Sequence, residues 1–172
     1  MNIVIGIVVA FVLVLGYVRA THWLEDARRT RFTFEDRDAY LFLKLGGPLG
    51  HGQPALLAMM TLREALLLKI ASPSPQRILV HLSDLQISGR RAFWLLIGGL
   101  GPLLVNENVK VAVMCRRRTS AAKHFREQGV LHTYPSVREG ERYLQSAEPR
   151  QVVPLDRARV DALLVTGRRK AA

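Results

Sequence analysis

The sequence has one cysteine, Cys115, in 172 residues. A single thiol excludes an intrachain disulfide framework and the cysteine sets of structural zinc modules. Acidic residues are also scarce: 14 Asp+Glu stand against 25 Lys+Arg, a formal net charge of +11. The histidines His22, His51, His81, His124 and His132 are scattered, without an i,i+4 pair or a carboxylate at ligand spacing, so no metal site is expected. There is no Walker loop and no G-x-G-x-x-G, and Gly98, Gly99 and Gly101 follow a helix-like segment, the wrong context for a dinucleotide loop. No cofactor is expected. Aromatic residues make up 7%. Phe93, Trp94 and Phe125 lie in apolar patterns that read as core rather than base-stacking surface, so nucleic acid is not an expected partner.

Charge is missing altogether from Met1 to Val18, MNIVIGIVVAFVLVLGYV. A bilayer core takes roughly 17–25 such residues in a helix, and residues 1–20 just meet that length when Arg19 extends its head to the interface. Tyr17 and Trp23 stand where an aromatic belt is expected. The rival reading is a cleaved signal peptide, with Val18 and Ala20 as the small-residue pair, but no Lys or Arg precedes the apolar run. Arg19, Arg28, Arg29 and Arg31 follow it, which places the downstream side in the cytoplasm. The expectation is a single-pass anchor in a cell inner membrane with a cytoplasmic body. Removing residues 1–20 removes one positive charge from +11, so the body carries +10 and is drawn toward an anionic lipid surface.

Residues 21–30 carry no apolar stripe and read as a juxtamembrane linker. Arg31–Glu35 alternates, and Ala39–Leu45 reads as its hairpin partner across the Asp36-Arg37-Asp38 turn. Gly46–Gly50 reads as a loop. After Pro54 the period becomes helical through Leu56, Met59, Met60, Leu66, Leu67 and Ile70, and Pro73 and Pro75 stop it. Met59 and Met60 read as core filling. Arg77–Leu82 and Val109–Cys115 are continuous apolar runs, as in strands covered on both faces. Between them, residues 83–89 read as a turn into a helix over Arg90–Leu100, whose far end Gly98, Gly99, Gly101 and Pro102 weaken or bend. Ser120–Gln128 is helical with Gly129 just past its end, Val130–Thr133 is a short extended piece, and Ser136 caps a helix through Leu144 with Glu139 completing a capping box. The order predicts an α/β fold: a mixed, mostly parallel sheet of four to five strands with an antiparallel hairpin strand at one edge. Residues 31–147 form the domain, and residues 148–172 are a basic C-terminal tail.

Few residues point to chemistry. Cys115 lies beside three arginines able to lower a thiol pKa, but without a positioned partner it reads as a buried structural thiol. Ser88 sits at a strand-to-helix turn, where the ordinary reading is an N-cap and the functional one an exposed hydroxyl. Arg116, Arg117 and Arg118 precede Ser120 at a helix start, a candidate anion-binding cluster whose alternative is a solvated or membrane-facing surface.

Three stretches resemble the STAS domain shared by anti-sigma factor antagonists and the tails of sulfate transporters: the opening hairpin with its long helix, Arg77–Leu96 and Val109–Leu144. The resemblance implies a STAS-like fold, and it places Ser88, followed by Gly89, on the serine that antagonist-type members phosphorylate. The family's acidic neighbour before that serine is here Gln86-Ile87. The resemblance implies a non-enzymatic regulatory or scaffolding module, and the uncharged run within residues 1–20 adds the expectation that it is membrane-anchored. It would dock an acidic or membrane-bound protein partner through Ser88, Gly89, Arg90 and Arg91. The alternative is a degenerate membrane-bound serine peptidase of the crotonase type with Ser88 as nucleophile, which requires a base and an oxyanion hole.

Overall fold

The computed structural model describes residues 29–71, 76–129 and 131–149. The anchor over 1–20, most of the linker and nearly all of the basic tail lie outside the described residues. Among the described residues, no helix is long and apolar enough to cross a membrane.

Five strands form one sheet in the order β1-β2-β3-β4-β5. They are β1 Arg31–Arg37, β2 Tyr40–Leu49, β3 Gln76–Ile87, β4 Val109–Met114 and β5 Thr133–Tyr134. β1 runs antiparallel to β2, and every later pair is parallel. The helices are α1 Gln53–Lys69, α2 Arg90–Gly99, α3 Gly101–Val105, α4 Ser120–Gln128 and α5 Val137–Gln145. The expected mixed sheet with one antiparallel edge is present.

Side-chain alternation assigns the two faces of the sheet. Leu43, Leu45, Ile78, Val80, Leu82, Val111 and Val113 point to one face, where α1 to α4 cover them. Tyr40, Phe42, Leu79, Ala112 and Met114 point to the other, where α5 alone packs through Tyr143 and Leu144. The close approach of α5 depends on Gly140, since a Cβ there would stand 3.0 Å from Leu79 Cδ1. Ser136 caps α5 as expected, its Oγ accepting from the Glu139 N–H at 3.3 Å, but the Glu139 carboxylate accepts from the Ser136 hydroxyl at 3.2 Å rather than from its backbone N–H.

Several features differ from the sequence reading. β3 continues through the stretch expected as a turn and ends at Ile87. It does so through a bulge: Lys44 pairs with His81 but Gly46 with Asp84, so β3 spends one extra residue. The buried positions change parity accordingly, from Ile78, Val80 and Leu82 to Leu85 and Ile87. β2 likewise runs through the expected loop to Leu49. Pro48 is tolerated because β1 pairing ends where Arg31 meets Gly46, so no strand needs its missing N–H on that side. Gly47 has φ +87, and a Cβ there would stand 2.6 Å from the Arg29 carbonyl oxygen, so only glycine lets the incoming chain lie this close.

The remaining differences concern helices. The far end of the helix after Ser88, expected to weaken or bend, breaks at Leu100 into a separate α3, with Pro102 in its first turn, where its lack of an N–H is harmless. α1 buries Ala55, Leu56, Met59, Leu62 and Leu66, so Leu62 takes the place in the stripe that Leu67 was expected to fill. Leu57, Leu67 and Leu68 are exposed. Met59 is fully buried and Met60 packs at the edge of the same cluster. Phe93 and Phe125 are core, in edge-to-face contact at 5.0 Å, and Trp94 is partly buried against them.

Candidate functional site

Parallel strands bring their carboxyl ends to one side, and in α/β sheets that side is where ligands and partners are met. Here Leu49 and Ile87 end β2 and β3 side by side, whereas β4 ends at Met114 opposite His81 and the chain after it runs on until Ser120 reaches Ile87. The turns and helix starts that follow carry the candidate docking and anion-binding residues: Ser88 and Gly89 in the turn after β3 with Arg90 and Arg91 opening α2, and Arg116, Arg117 and Arg118 after β4 with Ser120 opening α4. The first group lies beside the second. The Ile87 N–H donates to Ser120 Oγ at 2.8 Å, so the last residue of β3 is bonded to the first turn of α4.

Ser88 is exposed, and it is not a helix cap. Gly89 occupies the N-cap position of α2, which has no side-chain cap bond. The Ser88 hydroxyl instead donates to the Leu49 carbonyl at 2.9 Å, and its N–H donates to the same oxygen at 3.0 Å. The N-cap reading of this serine is therefore corrected: the bulged strand delivers Ser88 one residue short of the cap, facing the end of β2. Gly89 makes the turn at φ +92, ψ 176, a backbone region essentially confined to glycine. Among the described residues, no lysine, histidine or carboxylate is hydrogen-bonded to Ser88 Oγ.

Arg90, Arg91, Arg116, Arg117 and Arg118 are exposed. No described carboxylate lies at ion-pair distance from any of them. α2 and α4 have no acidic residue in their first turns, and Arg116 acts on Asp84, helping the hydrogen-bonded Lys44 hold its carboxyl below the usual range. Thr119 caps α4, accepting from the Ala122 N–H at 3.3 Å and donating to the Arg116 carbonyl at 2.8 Å. Ser120 Oγ accepts from the Ile87 N–H and has its own O–H to offer an anionic ligand.

Cys115 is 2% exposed. Its burial pushes the thiol up to about 12, so the neighbouring arginines do not activate it and the structural reading holds. Sequence reasoning missed a group on the opposite sheet face, beyond the end of α5. His81 stacks near Phe42 at a ring distance of 5.7 Å, and its Nδ1 is buried without a hydrogen-bond partner. Burial first, then the positive charges of Lys44 and Arg116, lower its pKa, and Asp84 opposes them. Lys44 bonds Asp84 at 3.0 Å and holds that carboxyl below its usual range. The signal was present as a lone imidazole in an apolar run, but only strand pairing shows that Lys44 faces it.

A five-stranded, mostly parallel sheet opened by an antiparallel hairpin, with helices on both faces and a seryl corner at the strand ends, is a STAS-type fold. The solved structure of an anti-sigma factor antagonist from Mycobacterium paratuberculosis superposes with a TM-score of 0.55 at 15% identity, over 69% of this chain and 97% of that one. An uncharacterised protein from Shewanella loihica, of the DUF3478 family with a SpoIIAA-like fold, aligns over 78% of this chain and 94% of its own at 16% identity and a TM-score of 0.38. At these identities the likeness is one of fold. No family model matches the sequence, and no curated protein matches it.

Proposed function

We propose that this chain is a non-enzymatic regulatory or scaffolding module, held at a membrane by residues 1–20, that docks a partner protein through the surface around Ser88. The observation that carries this reading is the corner itself. Ser88 is exposed at the strand ends, its hydroxyl is engaged only by a main-chain carbonyl, and the adjacent Arg90 and Arg91 have no described acidic partner. Unpaired arginines beside an exposed turn favour a partner of opposite charge. Phosphorylation of Ser88 would place about −1.5 to −2 charge beside those arginines and remodel the face. A fold shared with an anti-sigma factor antagonist supports a regulatory role of the same kind.

The peptidase alternative needs a base at the serine oxygen, and among the described residues that oxygen has a carbonyl instead. The test is affinity purification of the full chain from native membranes, with mass spectrometry of co-purifying chains and of the Ser88 peptide. Ser88→Asp and Arg91→Glu are expected each to lose a partner that the parent chain retains. Retention of the same partner by both variants would exclude this surface. Stoichiometric labelling of Ser88 by a fluorophosphonate would favour the peptidase.

A further inference from the structure

We infer that the arginine-rich pole at the carboxyl ends of the strands is a lipid latch: when no partner is bound, it rests on an anionic bilayer surface and covers the Ser88 corner. The inference rests on the membrane tether of the preceding reading for its proximity, while the contact itself rests on the placement of charge.

Three observations converge on this pole. First, Arg90 and Arg91 open α2 and Arg117 and Arg118 precede α4, all four exposed, and the bond between Ile87 and Ser120 joins the two segments, while Arg116 acts electrostatically on His81 and Asp84. Several basic groups elsewhere are matched: Lys69 pairs with Asp36 at 3.0 Å, Arg37 with Glu35 at 3.1 Å, and Lys44 with Asp84 at 3.0 Å, whereas Arg77, Arg126, Arg138 and Arg142, exposed without a described acidic partner, lie on β3, α4 and α5. Four arginines without a described acidic partner, on two segments bonded to each other, offer a surface to an external anion. Each basic side chain near an anionic leaflet strengthens the association by about fivefold.

Second, the described chain begins at this same pole. Thr30 Oγ1 donates to the Pro48 carbonyl at 2.7 Å, and Arg29 lies against Gly47, one or two residues before Leu49. Third, the uncharged run ends at Val18, ten residues before Arg29 in sequence once Arg19 is counted as its interfacial end. At about 3.3–3.6 Å per residue, ten residues reach at most about 35 Å, which sets the farthest this pole can stand from the bilayer to which the run would be tethered. The hairpin Asp36–Asp38, with its two carboxylates, lies at the far end of β1 and β2 and is turned away.

Headgroup contact over this pole covers Ser88 and Gly89, so lipid and partner compete for one surface. A phosphoryl group on Ser88 would repel the leaflet and release the latch.

The test uses the full chain in vesicles of phosphatidylcholine alone or with one-third phosphatidylglycerol, and no partner. His51→Cys places an exposed thiol in the loop after β2 at the pole, and Asp38→Cys places one at the opposite end. Cys115, buried, stays silent and reports folding. A membrane-impermeant maleimide is expected to label His51→Cys at least about fivefold more slowly in the anionic vesicles, with Asp38→Cys unchanged. Raising the salt to about 0.5 M should close the gap. Joint substitution of Arg90, Arg91, Arg117 and Arg118 by Gln should close it too. If that variant exposes Cys115, the salt arm decides.

Equal labelling of His51→Cys in both vesicles, or equal slowing of Asp38→Cys, overturns the latch. Release of the chain from neutral vesicles by carbonate would refute the tether alone, since the anionic comparison would still report contact. Failure of partner capture would leave this result intact, because no partner is present.

Discussion

Ser88 and Leu49 are joined twice: the N–H and the hydroxyl of Ser88 both donate to the single carbonyl oxygen of Leu49, at 3.0 and 2.9 Å. The end of β3 is thereby pinned to the end of β2. Ser88→Ala removes one of the two bonds and is expected to cost about 0.5–1.5 kcal/mol in urea unfolding. Ser88→Asp sets an acceptor against an acceptor and should destabilise more than Ala does. A stability ranking with Asp above Ala would show that the hydroxyl bond does not hold this corner.

Gly89 holds φ +92 with no heavy atom within 4 Å of where a Cβ would stand. The penalty of Gly89→Ala is therefore backbone strain alone, about 1–3 kcal/mol, without a packing contribution. Thermal unfolding should show the loss, and Gly89→Ser should lose about as much. A markedly greater loss for Ser would mean that space, not backbone, limits the site.

His81 titrates below its ordinary value of 6.5, chiefly through burial. The unfolded chain takes up the proton near the ordinary value while the folded chain resists until lower pH. Stability from this group is therefore present above 6.5 and is lost as pH falls through that value toward the folded pKa. Urea midpoints of the parent chain should fall more than those of His81→Phe between about pH 7.5 and about pH 5.5. Identical slopes would refute the assignment.

Cys115 gives the opposite slope. Its folded thiol stands at about 12 against an ordinary 9.0, so the folded state keeps the proton longer. Stability is full below 9.0 and declines as pH rises toward about 12. Burial likewise raises Tyr134 to about 12, aided by Tyr143 and Glu148, so Cys115→Ala should reduce the alkaline decline without abolishing it. Iodoacetamide at about pH 8 should leave the native thiol intact and modify it fully in urea, because only the thiolate reacts.

Much of the fold was legible because its signals are local. The buried runs at Ile78–Leu82 and Val109–Met114, the Ser136 cap that accepts from the Glu139 N–H, and Gly129 closing α4 each depend on neighbours within one turn or strand. What misled were residues that usually mark turns. Gly46, Gly47 and Pro48 read as a loop, yet they continue β2 because β3 supplies partners on one side and β1 has already ended on the other. Ser83 and Asp84 read as turn residues, yet they form a bulge whose only trace in the sequence is the parity change from Leu82 to Leu85. Ser88 read as a cap because cap propensity does not count bulges.

The amino-acid order alone determined the alternation of strands and helices, the uncharged run at the start, the excess of positive charge and the single thiol, since each is a matter of composition or short-range period. Only the tertiary structure decided that Ser88 turns its hydroxyl to Leu49 and that Ser120 reaches Ile87. Those pairs are separated by 39 and 33 residues. Parallel pairing sends successive strand ends to one side whatever the length of chain between them, and that geometry, invisible in any local pattern, gathers two arginine clusters and a serine into one surface.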